Sequence, residues 1–435
     1  MAQAPHILII GGGAGGLELA IRLARATRRG GRARVTLVDS SPAHVWKPRL
    51  HEIAVGLLVA AEEQANYAEQ AAAHGFAFVL GATDTIDVTA RTARVGAVRE
   101  PDGPRELLPQ RTSPFDIAVL AIGSTVDDFG TPGVHEHCHV LDTPEGAERL
   151  HRAILAQAAR VAAGEQERLR IAIVGAGTTG VELAAELRSA TGRLAQYRSL
   201  MDPGQIDITL LDMADRPLPG VATDTSDYAR RLLDRQRVAM RFGTKVTAVE
   251  LGILHLAEGG TVAADIIVWV SGVRGRALEV APKPKLEKGG RMRVDPMLRL
   301  LGEDGHVLDG LYAIGDCAAC FEAGSDKPVG ATAQAAHQQA RLLARSLVRQ
   351  LDGRPPLPFT FYYRGTLVSL GAGKAVGDVP TGGWSFRIAG LTAKLAYQWL
   401  YITHLAELFG WTRTGASALA SLLRRSARPS IKLHW

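Results

Sequence analysis

Two glycine-rich loops hold the residue types that most directly imply chemistry. Residues 6–10 read His-Ile-Leu-Ile-Ile and run into Gly11-Gly-Gly13-Ala-Gly-Gly16; residues 170–174 read Arg-Ile-Ala-Ile-Val and run into Gly175-Ala-Gly177-Thr-Thr-Gly180. In this spacing the first glycine makes a tight turn, the second lets the backbone approach a pyrophosphate, and the third lets helix and strand pack closely. The pyrophosphate then sits at the positive end of the following helix. Asp39, 23 residues beyond Gly16, ends the next apolar run and is placed to accept hydrogen bonds from ribose hydroxyls. Asp212 stands 32 residues beyond Gly180. An acid there repels a 2′-phosphate and favours NADH over NADPH, whereas Arg216 nearby is the residue that would serve the phosphate.

These side chains need elements to hold them. Short, continuous apolar runs read as parallel strands buried on both faces. Each loop is followed by a helical stretch (Leu17 to Ala26, Val181 to Leu187) and a second strand (Val35 to Asp39, Ile208 to Asp212), so a β-α-β unit recurs about 160 residues apart. Phe115 to Gly123 and Asp265 to Gly272 are further strand runs ending in glycine, and Gly310 to Asp316 ends on a Gly-Asp turn. An aspartate on such a turn suits a flavin's ribityl chain, and equally suits a helix cap. A helix is expected from Ala331 to Leu351, broken by the prolines of 354–358; residues 359–377 look strand-like and glycine-rich. The expected fold is α/β, with two Rossmann-like dinucleotide-binding domains.

Composition bounds the rest. With 435 residues, 46% apolar and 22% charged, the chain is that of an ordinary globular protein of two or three domains, not a disordered or disulfide-stapled one. Three cysteines (Cys138, Cys317, Cys320) suggest a reducing compartment. No targeting segment is visible, and no run approaches the ~20 apolar residues of a spanning helix. The net charge of +6 is localised: residues 384–435 hold seven Lys or Arg against one acid, with four of the six tryptophans. A basic aromatic tail on a neutral body points to one localised partner, not to a nucleic acid.

Longer segments resemble a family. Val45-Trp-Lys-Pro-Arg-Leu-His-Glu-Ile-Ala-Val-Gly56, Ala333-Gln-Ala-Ala-His-Gln-Gln339, Gly365-Thr-Leu-Val-Ser-Leu-Gly371 and the tail Arg428-Pro-Ser-Ile-Lys-Leu-His434 are similar to bacterial type II NADH:quinone oxidoreductases, over nearly the whole chain. The resemblance implies an FAD domain (1–160 and 288–378, the latter with the quinone-site helix), an inserted NADH domain (161–287) and amphipathic membrane-anchoring helices (379–435). It implies non-covalent FAD and two-electron transfer from NADH to a membrane quinone, ubiquinone or menaquinone, without proton pumping. By matching positions, Asp316 contacts the flavin, Glu182 lies at the nicotinamide and isoalloxazine, and Gln334 and Gln338 lie at its quinone side. Lys47, Gly123, Gly272, Gly315 and Ala333 are further cofactor contacts on the same basis. Two departures are the Thr-Thr before Gly180 and Arg49, where leucine is commoner.

The residues themselves are compatible with these roles. Gln334 and Gln338, four apart, share a helical face, and their amides suit quinone carbonyls. Glu182 is expected in the first turn of its helix, where a carboxylate suits the dipole in any protein. No cysteine occurs in residues 17–60, which excludes a redox disulfide after the first loop. A sulfide:quinone oxidoreductase would need two cysteines converging on flavin; a non-catalytic sensor of the apoptosis-inducing-factor type is the other alternative. His135, His137, Cys138 and His139 lie a whole domain away from Cys317 and Cys320, so no zinc site is expected. From Ile388 to Phe409 one helical stripe is apolar, interrupted by Lys394, Gln398, Thr403 and Glu407, with Tyr397, Trp399, Tyr401 and Trp411 expected at headgroup level. That pattern fits an interfacial helix on an anionic lipid surface, at the cytoplasmic face of a bacterial inner membrane, in a protein that is also expected to form a homodimer.

Overall fold

A computed structural model of the chain describes residues 4–28, 30–100, 103–194, 203–322, 324–381, 384–412 and 414–416. The tail residues Arg413, Arg424, Arg425, Arg428, Lys432 and Trp435 therefore lie outside the described residues. The chain forms two compact units. One comprises residues 1–46, 64–125 and 273–363; the other comprises 47–63, 126–272 and 364–435.

The first unit is organised on an eight-stranded sheet in which the parallel set Val307–Ala313, Ile117–Leu120, His6–Ile10, Arg34–Asp39 and Ala77–Leu80 runs in that order out to one edge. All five residues of His6–Ile10 are buried, as a central strand covered on both faces requires. The first glycine loop leads from this strand into the helix Ala14–Thr27. Against that helix packs Ala333–Leu351, which Thr332 caps by accepting the Ala335 N–H at 3.2 Å.

The second unit repeats the plan. Its five-stranded parallel sheet runs His139–Val140, Ile266–Trp269, Leu169–Val174, Ile206–Asp212 and Val238–Phe242, and the second glycine loop leads from its middle strand into the helix Thr178–Leu194. Duplicated β-α-β units in a mixed α/β chain are as the sequence predicts.

The same unit carries a three-stranded antiparallel sheet, Thr366–Ser369, Ala375–Thr381 and Trp384–Ala389, followed by the helix Leu391–Phe409. Here the structure departs from the periodicity reading. Ile388 belongs to the last strand, opposite Gly377, and not to the helix. Gly390, at φ +74°, ends the strand and starts the helix in a conformation that residues with a Cβ rarely adopt. The helix buries Ala393, His404, Ala406 and Leu408, while Leu391, Leu395, Trp399 and Leu400 are exposed.

Candidate functional site

The two loops are the same device built twice. The Gly11 N–H donates to the Val38 carbonyl at 2.8 Å, and the Gly175 N–H to the Leu211 carbonyl at 2.8 Å, so each turn hangs on the residue just before the acid. A Cβ on Gly16 would lie 1.8 Å from the Gly11 carbonyl oxygen, and one on Gly180 1.8 Å from that of Gly175. A Cβ on Gly11 would meet the Ala121 carbonyl at 2.3 Å, and one on Gly175 the Ser271 amide at 2.8 Å. In contrast, nothing lies within 4 Å of the Cβ position of Gly13 or Gly177. The first and third glycines are thus demanded by the protein's own backbone, and the second faces open space at the start of a helix, where a pyrophosphate fits.

Both acids stand at their loops. Asp39 Oδ2 accepts the Gly12 N–H at 2.6 Å and Oδ1 the Ser41 N–H at 2.8 Å; Asp212 Oδ2 accepts the Ala176 N–H at 2.5 Å and Oδ1 the Ala214 N–H at 2.8 Å. Each carboxylate oxygen keeps lone-pair capacity for a ribose hydroxyl. Arg216 is occupied within its own loop, donating to Thr223 Oγ1 at 2.6 Å and to the Pro219 and Val221 carbonyls. That favours a dinucleotide without a 2′-phosphate.

In the first unit, Asp316 follows Gly315 in a short turn. Its Oδ2 accepts the Ser124 hydroxyl at 2.9 Å, and its carbonyl accepts from Arg291 Nε at 3.1 Å. The Gly315 N–H donates to Gln339 Oε1 at 2.6 Å. Gln339, which the sequence reading did not single out, is buried one position beyond Gln338 and holds the turn that carries Asp316. Ala333 opens the helix that carries Gln334 and Gln338, both half-buried. The Gln338 amide is paired with the backbone of Tyr362, donating to its carbonyl at 2.8 Å and accepting its N–H at 2.9 Å, so it also holds the strap that follows the prolines. Gly123 lies just beyond Ile117–Leu120. Buried Glu18 binds His337 and, at 2.9 Å, Arg341; these partners outweigh its burial and hold its pKa down to about 2.

In the second unit, Glu182 is the fifth residue of Thr178–Leu194, beyond the first turn where the sequence places it. Its carboxyl faces the interior, not the helix end, and is buried. Oε1 accepts the Ser369 N–H at 2.9 Å and Oε2 lies 3.4 Å from His51 Nδ1; the Ser369 hydroxyl donates to Glu186 Oε1 at 3.1 Å. Burial, reinforced by Glu52 and Glu186, pushes the Glu182 pKa well above the ordinary carboxyl value, against the opposing Ser369 amide and Lys394. Burial thus favours the protonated form of this carboxyl over the ionised one. Beside it, Arg49 clamps Glu52 (3.1 and 2.7 Å) and Glu63 (3.1 Å), and its guanidinium stacks on Tyr401 at 4.3 Å. Tyr401 donates to Glu63 Oε2 at 2.6 Å, and the Tyr397 hydroxyl is buried. These two tyrosines thus turn into the protein, and only Trp399 and Trp411 of the expected four aromatics present exposed rings.

Lys47 pairs with Asp142 at 2.7 Å, and Gly272 follows the strand Ile266–Trp269 beside Phe129. All three cysteines are free; burial raises Cys138 to about 12 and Cys317 and Cys320 to about 11, so they rest as unreactive thiols. His135 Nε2 lies 2.9 Å from Asp128.

Two nucleotide cradles of this kind in one chain define the fold class, and residues 5–340 match the model of the pyridine nucleotide-disulphide oxidoreductase family. The chain is 32% identical to the type II NADH:quinone oxidoreductase of Haemophilus influenzae, covering 99% of this chain and 100% of the relative. It is 28% identical to that of Staphylococcus epidermidis over 86% of this chain and 89% of the relative. Its fold is that of NDH2 from Plasmodium falciparum in complex with NADH, at TM-score 0.81 and 16% identity over 98% of this chain and 100% of that one. The sulfide:quinone oxidoreductase of Aquifex aeolicus shares the fold at TM-score 0.72 and 17% identity, over 94% and 92% of the two chains. The chain belongs to the type II NADH:quinone oxidoreductases.

Proposed function

We propose that this protein oxidises NADH with bound FAD and delivers both electrons to a membrane quinone, without pumping protons. The observation that carries this reading is the pair of matched cradles, Gly11–Gly16 with Asp39 and Gly175–Gly180 with Asp212, in a chain related end to end to named NADH:quinone oxidoreductases. FAD, when bound, supplies the hydride-accepting and electron-donating chemistry. The protein's residues do the rest. The first loop, Asp39 and Asp316 hold FAD, and the second loop and Asp212 hold NADH. Lys47, Gly123, Gly272, Gly315 and Ala333 are assigned as further cofactor contacts. Glu182 is the buried acid at the nicotinamide, and Gln334 and Gln338 offer amides to the quinone. Residues 1–160 and 288–378 are assigned to the FAD domain and 161–287 to the NADH domain.

Residues 379–435 are assigned as the membrane foot. The exposed row Leu391, Leu395 and Trp399, four residues apart on one helix face, supports a helix lying in the headgroup region of an anionic surface. No helix among the described residues is long and apolar enough to cross a membrane. The assigned surface is the cytoplasmic face of a bacterial inner membrane, the assigned state a homodimer, and the acceptor ubiquinone or menaquinone.

Anaerobic stopped-flow mixing with NADH, and then with a short-chain quinone, tests the reading. Rapid bleaching of the flavin band followed by rapid recovery is expected. A stable, slowly reoxidised species would turn the assignment to a redox sensor, and a protein without a flavin band would overturn it.

A further inference from the structure

His51 lies in the middle of the Val45–Gly56 segment, and none of the roles above uses it. It is almost fully enclosed at 1% exposure, and burial lowers its pKa to about 4, so it is a neutral imidazole. Its tautomer follows from its surroundings. Nε2 is buried with no hydrogen-bond partner among the described residues, so the single proton of the neutral ring is placed on Nδ1, the nitrogen with a polar neighbour. Nδ1 is also the atom 3.4 Å from Glu182 Oε2. The ring therefore turns a donor edge toward one carboxyl oxygen while the Ser369 N–H holds the other.

We propose that His51 is a positioning residue for Glu182, its Nδ1–H and the Ser369 amide fixing the carboxyl in one orientation and easing its passage to the carboxylate. The inference rests on the reading of Glu182 as a catalytic acid. Other groups face the carboxyl from every packed element. Glu52 and Arg49 come from the 47–63 segment, Glu186 from the Glu182 helix itself, and Lys394 and Tyr397 from Leu391–Phe409. The Glu52 charge disfavours a second carboxylate, and Arg49 neutralises most of it through its two hydrogen bonds. Burial, Glu52 and Glu186 disfavour the charged form of Glu182, and a donor on Oε2 joins the Ser369 amide and Lys394 in favouring it. Its removal should make the carboxyl harder to ionise.

The test compares Glu182→Gln, His51→Leu, His51→Asn and His51→Gln in the flavin-loaded full-length protein, reading kcat and KM for NADH and quinone from pH 5 to 10. Glu182→Gln should abolish one limb of the kcat profile. His51→Leu should move that limb to higher pH and lower kcat at neutral pH about tenfold, with KM for NADH unchanged, the size expected for one unit of displaced ionisation. His51→Asn, whose amide N–H sits where Nδ1 sits, should return both limb and rate; His51→Gln, whose amide reaches the Nε2 position, should not. If Glu182→Gln leaves rate and profile intact, the catalytic reading of Glu182 fails. If Glu182→Gln removes the limb and His51→Leu leaves it in place, the role of His51 alone is overturned. Should His51→Leu fail to fold or retain flavin, the Asn and Gln variants decide: equal profiles sink the inference.

Discussion

The backbone N–H of Ser369 donates to Glu182 Oε1 at 2.9 Å, joining residues 187 positions apart. A helix that starts at a phosphate loop is thereby tied to a strand of the C-terminal sheet, and the next serine bond, from its hydroxyl to Glu186, repeats the tie one helical turn on. The consequence is chemical as well as structural. Burial this complete, with another acid four residues along the helix, raises the carboxyl's pKa above its ordinary value, and the Ser369 amide fixes its orientation.

The two cradles are separable by mutation. Gly180→Ala drives a Cβ into the Gly175 carbonyl and should abolish NADH binding, measured by titration, while the flavin absorbance per protein stays normal. Gly16→Ala should instead yield protein without flavin. Loss of flavin in both variants would contradict the assignment of one nucleotide to each loop.

Asp212→Ala should reduce the preference for NADH over NADPH by at least tenfold, because the carboxylate's repulsion of a 2′-phosphate is removed. The ratio of kcat/KM values is the measurement, and an unchanged ratio would remove Asp212 from the specificity determinants. Arg216 should not by itself create an NADPH preference, since its guanidinium is spent on Thr223 and two carbonyls.

Gln334→Leu should slow reoxidation of the flavin by quinone while leaving its reduction by NADH intact. Gln338→Leu should do the same and, in addition, lower stability by at most about 1 kcal/mol, the net worth of its solvent-exposed bonds to the Tyr362 backbone. Half-reactions of unaltered speed in both variants would move the quinone site elsewhere.

Acid should destabilise the protein in two stages. His44 and His51 are held near pKa 4 against an ordinary 6.5, so between those values the unfolded chain binds protons that the folded chain refuses, and stability falls as pH drops through that window. Glu18 and Glu52 are held near 2 against 4.5, so their stabilisation is complete above 4.5 and is lost as pH falls toward 2. Urea midpoints of the flavin-loaded protein between pH 7.5 and 3 check this; a midpoint constant from 7 to 4.5 would refute the first stage.

Leu395→Glu with Trp399→Glu should release the protein from anionic vesicles in a sedimentation assay, with flavin content unchanged. Point substitutions serve better here than removal of residues 384–435, because Trp384–Ala389 is a paired strand of the folded sheet. Undiminished sedimentation would defeat the membrane-foot assignment.

The features legible in the residues alone are the local ones. Gly-x-Gly-x-x-Gly between an apolar run and a helix dictates its own geometry, because the constraint is a steric one between residues five apart. Strand identity followed from unbroken apolar runs, and Asp39 and Asp212 followed from their position at strand ends. The tertiary structure decided everything that depends on a distant partner. Ile388 is apolar at helical spacing yet pairs with Gly377, since strand pairing overrides a period read from six or seven residues. Tyr397 and Tyr401 have the composition of a membrane belt yet turn inward, because Arg49 and Glu63, more than 330 residues earlier, give Tyr401 a partner. Gln339 is indistinguishable from its neighbours until the Gly315 turn meets it. Glu182 reads as a helix-start carboxylate in any sequence. Only its burial, with Glu52 and Glu186 nearby, raises its pKa above the ordinary carboxyl value, for charge in a protein interior is set by what surrounds a group in space.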